Sequence, residues 1–167
     1  LLLERASTVV LLGIEAGVKI VVAPALRRDA RPDPLFVFEG GPGGGAATLA
    51  PYRIPMFRRF QTDRDIVLVD QRGTGASNPL DCAPDDPDAD DLSSIDDYPT
   101  ERFRACLARL DADPRQYTTS IAVDDIDDVR RFLGYERINL WGGSYGTRAA
   151  LVYLKQHEET VRSVVLV

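Results

Sequence analysis

Histidine is nearly missing from this chain: His157 stands alone among 167 residues. With one histidine and two cysteines, Cys82 and Cys106, no Cys/His cluster has metal-ligand spacing, so a metal centre of that kind is excluded and no metal is expected. Long hydrophobic runs are also absent; none approaches the roughly 20 residues that a helical membrane span requires. Positive charge is in deficit, with 20 Lys and Arg against 26 Asp and Glu and a net charge of −6. There is no basic stripe, which argues against a nucleic-acid partner. The chain has no initiator Met, shows no signal-peptide pattern and stops inside an apolar run. Both ends read as cut, so the missing targeting signal excludes nothing.

What is present is ordinary globular composition, 44% hydrophobic and 28% charged, enough for one core. Thr8 to Leu12 and Val18 to Val22 are β-branched runs parted by Gly13 and Gly17, which suits two strands of a hairpin. Leu35-Phe36-Val37-Phe38 and Asp65 to Asp70 are continuous apolar runs of the kind buried on both faces of a parallel sheet. Between them a helix is expected over about Ala46 to Phe60, interrupted or shifted by Pro51 and Pro55. Residues 78–99 form an acidic loop insertion; a solvated loop fits it better than calcium, because its spacing matches no EF-hand. Glu101 to Leu110 suits a short amphipathic helix. Ser120 is placed to cap a longer one, with Asp124 and Asp125 near its positive end and Ala122, Ile126, Val129 and Leu133 on one face. Gly134 stops it. Arg137 to Trp141 and Val161 to Val167 complete the strands. Strands alternating with helices at this spacing predict an α/β fold with a mostly parallel, doubly wound sheet.

The most informative stretch is Trp141-Gly142-Gly143-Ser144-Tyr145-Gly146, a strand entering Gly-x-Ser-x-Gly and then a helix. This is the pattern of a nucleophile elbow, whose turn is too sharp for side chains two residues before or after the serine. Gly142 and Gly146 fill those places. Ser144 is therefore the candidate nucleophile, and the Tyr145 N–H a candidate oxyanion donor. The second donor must come from the loop Glu39-Gly40-Gly41-Pro42-Gly43-Gly44-Gly45. Pro42 has no N–H, which favours Gly41, with Gly40 as the fallback.

Two other readings compete. Gly41 to Ala46 also fits a dinucleotide fingerprint, with Asp70 ending the next strand. Against that, Pro42 falls where N–H groups should face a pyrophosphate, and the elbow goes unexplained. A non-catalytic binding domain is the other alternative, since no aspartate follows Ser144. A continuous helix would put His157 nearly 20 Å from Ser144, at about 1.5 Å per residue. His157 is expected to face solvent at a helix end, and the chain to lack a base for Ser144. Cys82 and Cys106 flank the acidic loop, either bridged or as separate thiols.

Glu39 to Gly44, Asp70-Gln71-Arg72-Gly73-Thr74-Gly75-Ala76-Ser77 and Gly142 to Thr147 together resemble the prolyl iminopeptidase and tripeptidyl aminopeptidase family of α/β-hydrolases, over about Val18 to Val167. The resemblance implies the N-terminal part of a catalytic domain, without the cap domain and last strands. It implies a serine peptidase that removes N-terminal residues from small peptide or aminoacyl substrates without a cofactor; a related esterase is the alternative. It matches Ser144 to the nucleophile and Gly41 and Tyr145 to the oxyanion donors, and gives Asp70 and Arg72 a structural role beside the site. Glu39 departs from the histidine that many members carry there. Asn78 to Cys82 followed by Cys106 resembles the exported bacterial branch, which favours a Cys82–Cys106 bridge and a periplasmic or secreted location.

Overall fold

The fold was determined as a computed structural model, which describes residues 7–11, 17–80 and 100–167. The acidic run from residue 81 to 99 and Cys82 lie outside the described residues, as does Leu12 at the end of the first expected strand. Cys106 is buried and is not a free thiol.

Among the described residues six strands make one sheet: β1 (Ser7–Leu11), β2 (Val18–Ala23), β3 (Leu35–Phe38), β4 (Ile66–Val69), β5 (Ile138–Gly142) and β6 (Val161–Leu166). Their spatial order is β1-β2-β4-β3-β5-β6. The first two form the expected antiparallel hairpin, and β2 pairs antiparallel with β4. From β4 through β3 and β5 to β6 every pairing is parallel. The strands at the centre, β3 and β4, are buried at all four positions, as their uninterrupted apolar sequences require.

Alternation along each strand divides the core between two faces. Phe36 and Phe38 point with Val67, Leu140 and Ile138 toward helices α4 (Thr119–Phe132) and α5 (Tyr145–Gln156). Leu35 and Val37 point the other way, against Ala46, Ala47, Ala50 and Phe57. Burying each large apolar side chain stabilises the fold by about 1.5–3 kcal/mol, so layers on both faces are needed to hold a sheet this apolar. Small residues Ala149 and Ala150 let α5 lie close to the sheet; both are fully buried.

Two local expectations change. The helix expected over Ala46 to Phe60 breaks into α1 (Ala50–Arg53), a 3-10 turn (Ile54–Phe57) and α2 (Arg58–Gln61). Pro51 sits at the start of the first piece and Pro55 at the start of the second, where a missing N–H is tolerated but continuation is not. The cap of α4 is Thr118, whose hydroxyl accepts from Ile121 N–H, and not Ser120. Ser120 lies inside the first turn and donates to Gln156 Oε1 at 2.6 Å. The strand expected at Val161 to Val167 is present as β6, buried only at Val161, with Val165 and Leu166 more than 40% exposed. The short helix near Glu101 is α3 (Thr100–Arg109), and Gly134, at φ +77°, ends α4 as expected.

A buried polar knot joins α4 to α5. Asp127 accepts from Arg130 Nε at 2.7 Å, Arg131 Nε at 2.9 Å and the Tyr153 hydroxyl at 2.8 Å. Burial alone would push its carboxyl up, but these donors outweigh it and hold the pKa down to about 2. A depressed folded-state value contributes stability that is present above the unfolded pKa of about 4 and lost as pH falls toward 2. The contribution is about 2 kcal/mol. Urea unfolding at pH 5.5 and at pH 2.5 should therefore show a steeper loss for the parent than for Asp127→Asn. Equal losses would remove Asp127 from the account of acid sensitivity.

Candidate active site

Ser144 stands where β5 gives way to α5, at φ 52° and ψ −120°. Only it and Asn78 among the described non-glycine residues have positive φ. Such a conformation costs on the order of 1–3 kcal/mol and persists only where surrounding structure enforces it. Here the enforcement is visible. Ser144 N–H donates to the Val167 carbonyl at 2.9 Å, and Val167 N–H donates to the Gly142 carbonyl at 2.9 Å. Thr147 Oγ1 donates to the Ser144 carbonyl at 2.7 Å. Although Ser144 precedes the helix, its hydroxyl caps nothing, and the residue is exposed. The side chain is left available.

The glycine requirement read from the sequence is met by steric fact. A Cβ on Gly146 would fall onto the Phe38 carbonyl, and one on Gly142 onto the Gly146 carbonyl. Both obstacles are backbone, which cannot swing away. On the facing side, a Cβ on Gly40 would lie 3.0 Å from Ser144 Cβ and 3.6 Å from Ser144 Oγ. The glycine loop after β3 therefore meets the serine directly, with Gly41, Pro42 and Gly43 exposed in a turn that Gly44 N–H closes onto the Gly41 carbonyl at 2.7 Å.

The N–H groups of Gly41 and Tyr145 have no acceptor among the described residues, nor have those of Gly43 and Gly45 farther along the loop. The fallback donor is spent: Gly40 N–H donates to Glu39 Oε1 at 2.9 Å. Glu39 in turn is buried and holds Arg53 in a two-pronged ion pair, Oε2 to Nε and Oε1 to Nη2, both 2.5 Å. Burial raises the Glu39 pKa, and the Arg53 guanidinium and Gly40 N–H bring it back below its ordinary value. Glu39 thus ties Gly40 of the glycine loop to Arg53 of α1.

Asp70 is fully buried behind the loop. Its Oδ1 accepts from Thr48 N–H at 2.9 Å, and its Oδ2 from Thr48 Oγ1 at 2.7 Å and Ala76 N–H at 3.0 Å. These bonds tie the glycine loop to the 71–77 turn. They also leave the carboxylate unable to face a ribose, and the loop enters only a four-residue helical turn, which removes the geometry of a dinucleotide site. Arg72 binds Asp125 through Nε at 2.6 Å and Nη2 at 2.5 Å and the Gln116 carbonyl through Nη1 at 3.0 Å. Asp125, expected to serve the dipole of α4, is instead the partner that fixes Arg72.

His157 corrects a second expectation. It ends α5, at the far end from Ser144, but does not face solvent: its side chain is 15% exposed. The ring packs 5.0 Å from that of Tyr153, with Nε2 2.9 Å from Asp124 Oδ1. It takes no part in the site. Among the described residues no group of His, Cys, Asp and Glu could hold a metal ion, and no helix is long and apolar enough to cross a membrane. Sequence reasoning missed Arg53 and Thr48, whose sequence distances from Glu39 and Asp70 carry no periodic signal.

A parallel sheet carrying a positive-φ serine between strand and helix, with a glycine loop against it, places the chain in the α/β-hydrolase family. The family model described as the alpha/beta hydrolase fold matches residues 33–167, and the chain belongs to that family. Within it, the chain is similar to proline iminopeptidases. It is 30% identical over 135 residues to the one from Neisseria gonorrhoeae, covering 80% of this chain and 31% of that protein. The Arabidopsis thaliana proline iminopeptidase is 32% identical over 143 residues, covering 83% of this chain and 28% of its own length. The structure of proline iminopeptidase from Mycobacterium smegmatis superposes with a TM-score of 0.64 at 20% identity, over 95% of this chain and 42% of that one. The chain thus spans about a third of the length of these curated relatives.

Proposed function

We propose that Ser144 is the nucleophile of a serine hydrolase, and that the whole protein is an aminopeptidase releasing N-terminal residues from peptides. The observation that carries this is the Ser144 conformation, an exposed residue held at positive φ between β5 and α5, whose hydroxyl caps nothing. Ser144 Oγ attacks the carbonyl of the substrate's first residue, giving up its proton to a base. The tetrahedral oxyanion receives hydrogen bonds from Gly41 N–H and Tyr145 N–H. Collapse expels the amine of the shortened peptide, which takes the proton, and water then hydrolyses the acyl-enzyme. No cofactor enters this chemistry. The peptidase assignment is supported by the proline iminopeptidases among the relatives.

These 167 residues contain one histidine, and it is engaged at the wrong end of α5, so the base and its orienting acid must come from elsewhere in the protein. The expected result is that the 167-residue chain gives no turnover of aminoacyl chromogenic amides, whereas the full-length protein cleaves them in preference to short-chain esters. Faster cleavage of the esters would make it an esterase. Turnover by the 167-residue chain, lost in Ser144→Ala, would show that the base lies within it.

A further inference from the structure

Resting on the reading of Ser144 as nucleophile, we infer that Glu39 and Arg53 are a positioning pair that sets the oxyanion loop and neutralises the carboxylate lying beneath it. Three observations converge. Glu39 Oε1 accepts Gly40 N–H at 2.9 Å, which takes up that N–H and leaves the next one, on Gly41, without an acceptor among the described residues. The loop is folded tightly over the same side chain: a Cβ on Gly44 would lie 3.0 Å from Glu39 Cγ and 2.5 Å from the Gly40 carbonyl oxygen. Arg53, at the end of α1, grips both carboxylate oxygens, so the loop's conformation is referred to a second structural element.

The charge gives the arrangement its direction. Glu39 is adjacent in sequence to Gly40, whose Cα faces Ser144, so an uncompensated carboxylate there opposes the negative charge that forms on the substrate oxygen in the transition state. Arg53 cancels it. The ground state, in which the substrate carbonyl is neutral, feels the carboxylate much less. Loss of Arg53 should therefore damage kcat more than KM, and more than loss of Glu39 does.

The test uses the full-length protein and an aminoacyl chromogenic amide. Glu39→Gln is expected to lower kcat about 10-fold and Arg53→Gln about 100-fold, each with KM within about 2-fold, against the 100- to 1,000-fold typical of deleting an oxyanion donor. The double variant Glu39→Gln/Arg53→Gln, which leaves no buried charge, should recover to about the level of Glu39→Gln alone. Thermal unfolding of each variant separates this from lost folding; if Arg53→Gln is unfolded at assay temperature, the double variant against Glu39→Gln carries the comparison. Unchanged kcat in Glu39→Gln, a change confined to KM, or a double variant as poor as Arg53→Gln overturns the inference. Those results alongside an inactive Ser144→Ala leave the nucleophile standing; an active Ser144→Ala overturns the nucleophile itself.

Discussion

Ser144→Ala in the full-length protein is expected to lower kcat by about 10⁶-fold, with substrate affinity little changed. The size follows from the proposed role: without the hydroxyl no acyl-enzyme forms, and what remains is the carbonyl polarisation proposed for Gly41 and Tyr145 N–H. Ser144→Gly should lose as much activity and yet gain about 1 kcal/mol of stability, because glycine adopts φ 52° without steric cost. The pair of variants separates chemistry from strain. Chemical unfolding and steady-state kinetics on the same preparations would read both. A Ser144→Gly protein less stable than the parent would mean the backbone there is not strained.

Arg72→Met is expected to destabilise the fold by about 3–5 kcal/mol, the cost of leaving a buried carboxylate without its partner. Asp125 is 7% and Arg72 10% exposed at the side chain, so water cannot substitute for the lost guanidinium. The double variant Arg72→Met/Asp125→Leu should recover part of the loss, since it removes the buried carboxylate that Arg72→Met leaves facing no guanidinium. Urea midpoints for the three variants decide the matter. A loss under about 1 kcal/mol in Arg72→Met would place the pair among ordinary surface contacts. Because Arg72 also anchors the segment carrying Gln116 to the 71–77 turn, its loss should loosen the Asp70 bonds that support the glycine loop.

Much of the architecture could be read from residues. The apolar runs at Leu35 and Ile66 are strands because nothing polar interrupts them, and burial on both faces is the only setting that tolerates this. The elbow was legible for a steric reason: Gly142 and Gly146 are required wherever a strand turns that sharply into a helix, and the structure puts backbone carbonyls where their side chains would go. Elements whose identity depends on tertiary partners were not legible. Asp125 looked like a helix-dipole residue because local sequence shows its position on α4 and not Arg72, 53 positions earlier. His157 looked solvent-facing because the Asp124 and Tyr153 that enclose it are brought together only when α4 packs on α5. Arg53 was hidden by Pro51 and Pro55, which break the expected helix into turns and so erase the periodicity that would have given its direction.

Ser144 is proposed as a nucleophile displayed on a preformed elbow. Treating the full-length protein with a fluorophosphonate and mapping the adduct by peptide mass spectrometry tests it most directly. The expected result is a single phosphonylated residue, Ser144, and no adduct in Ser144→Ala. Labelling at another residue, or turnover that persists while Ser144 remains unmodified, would contradict it.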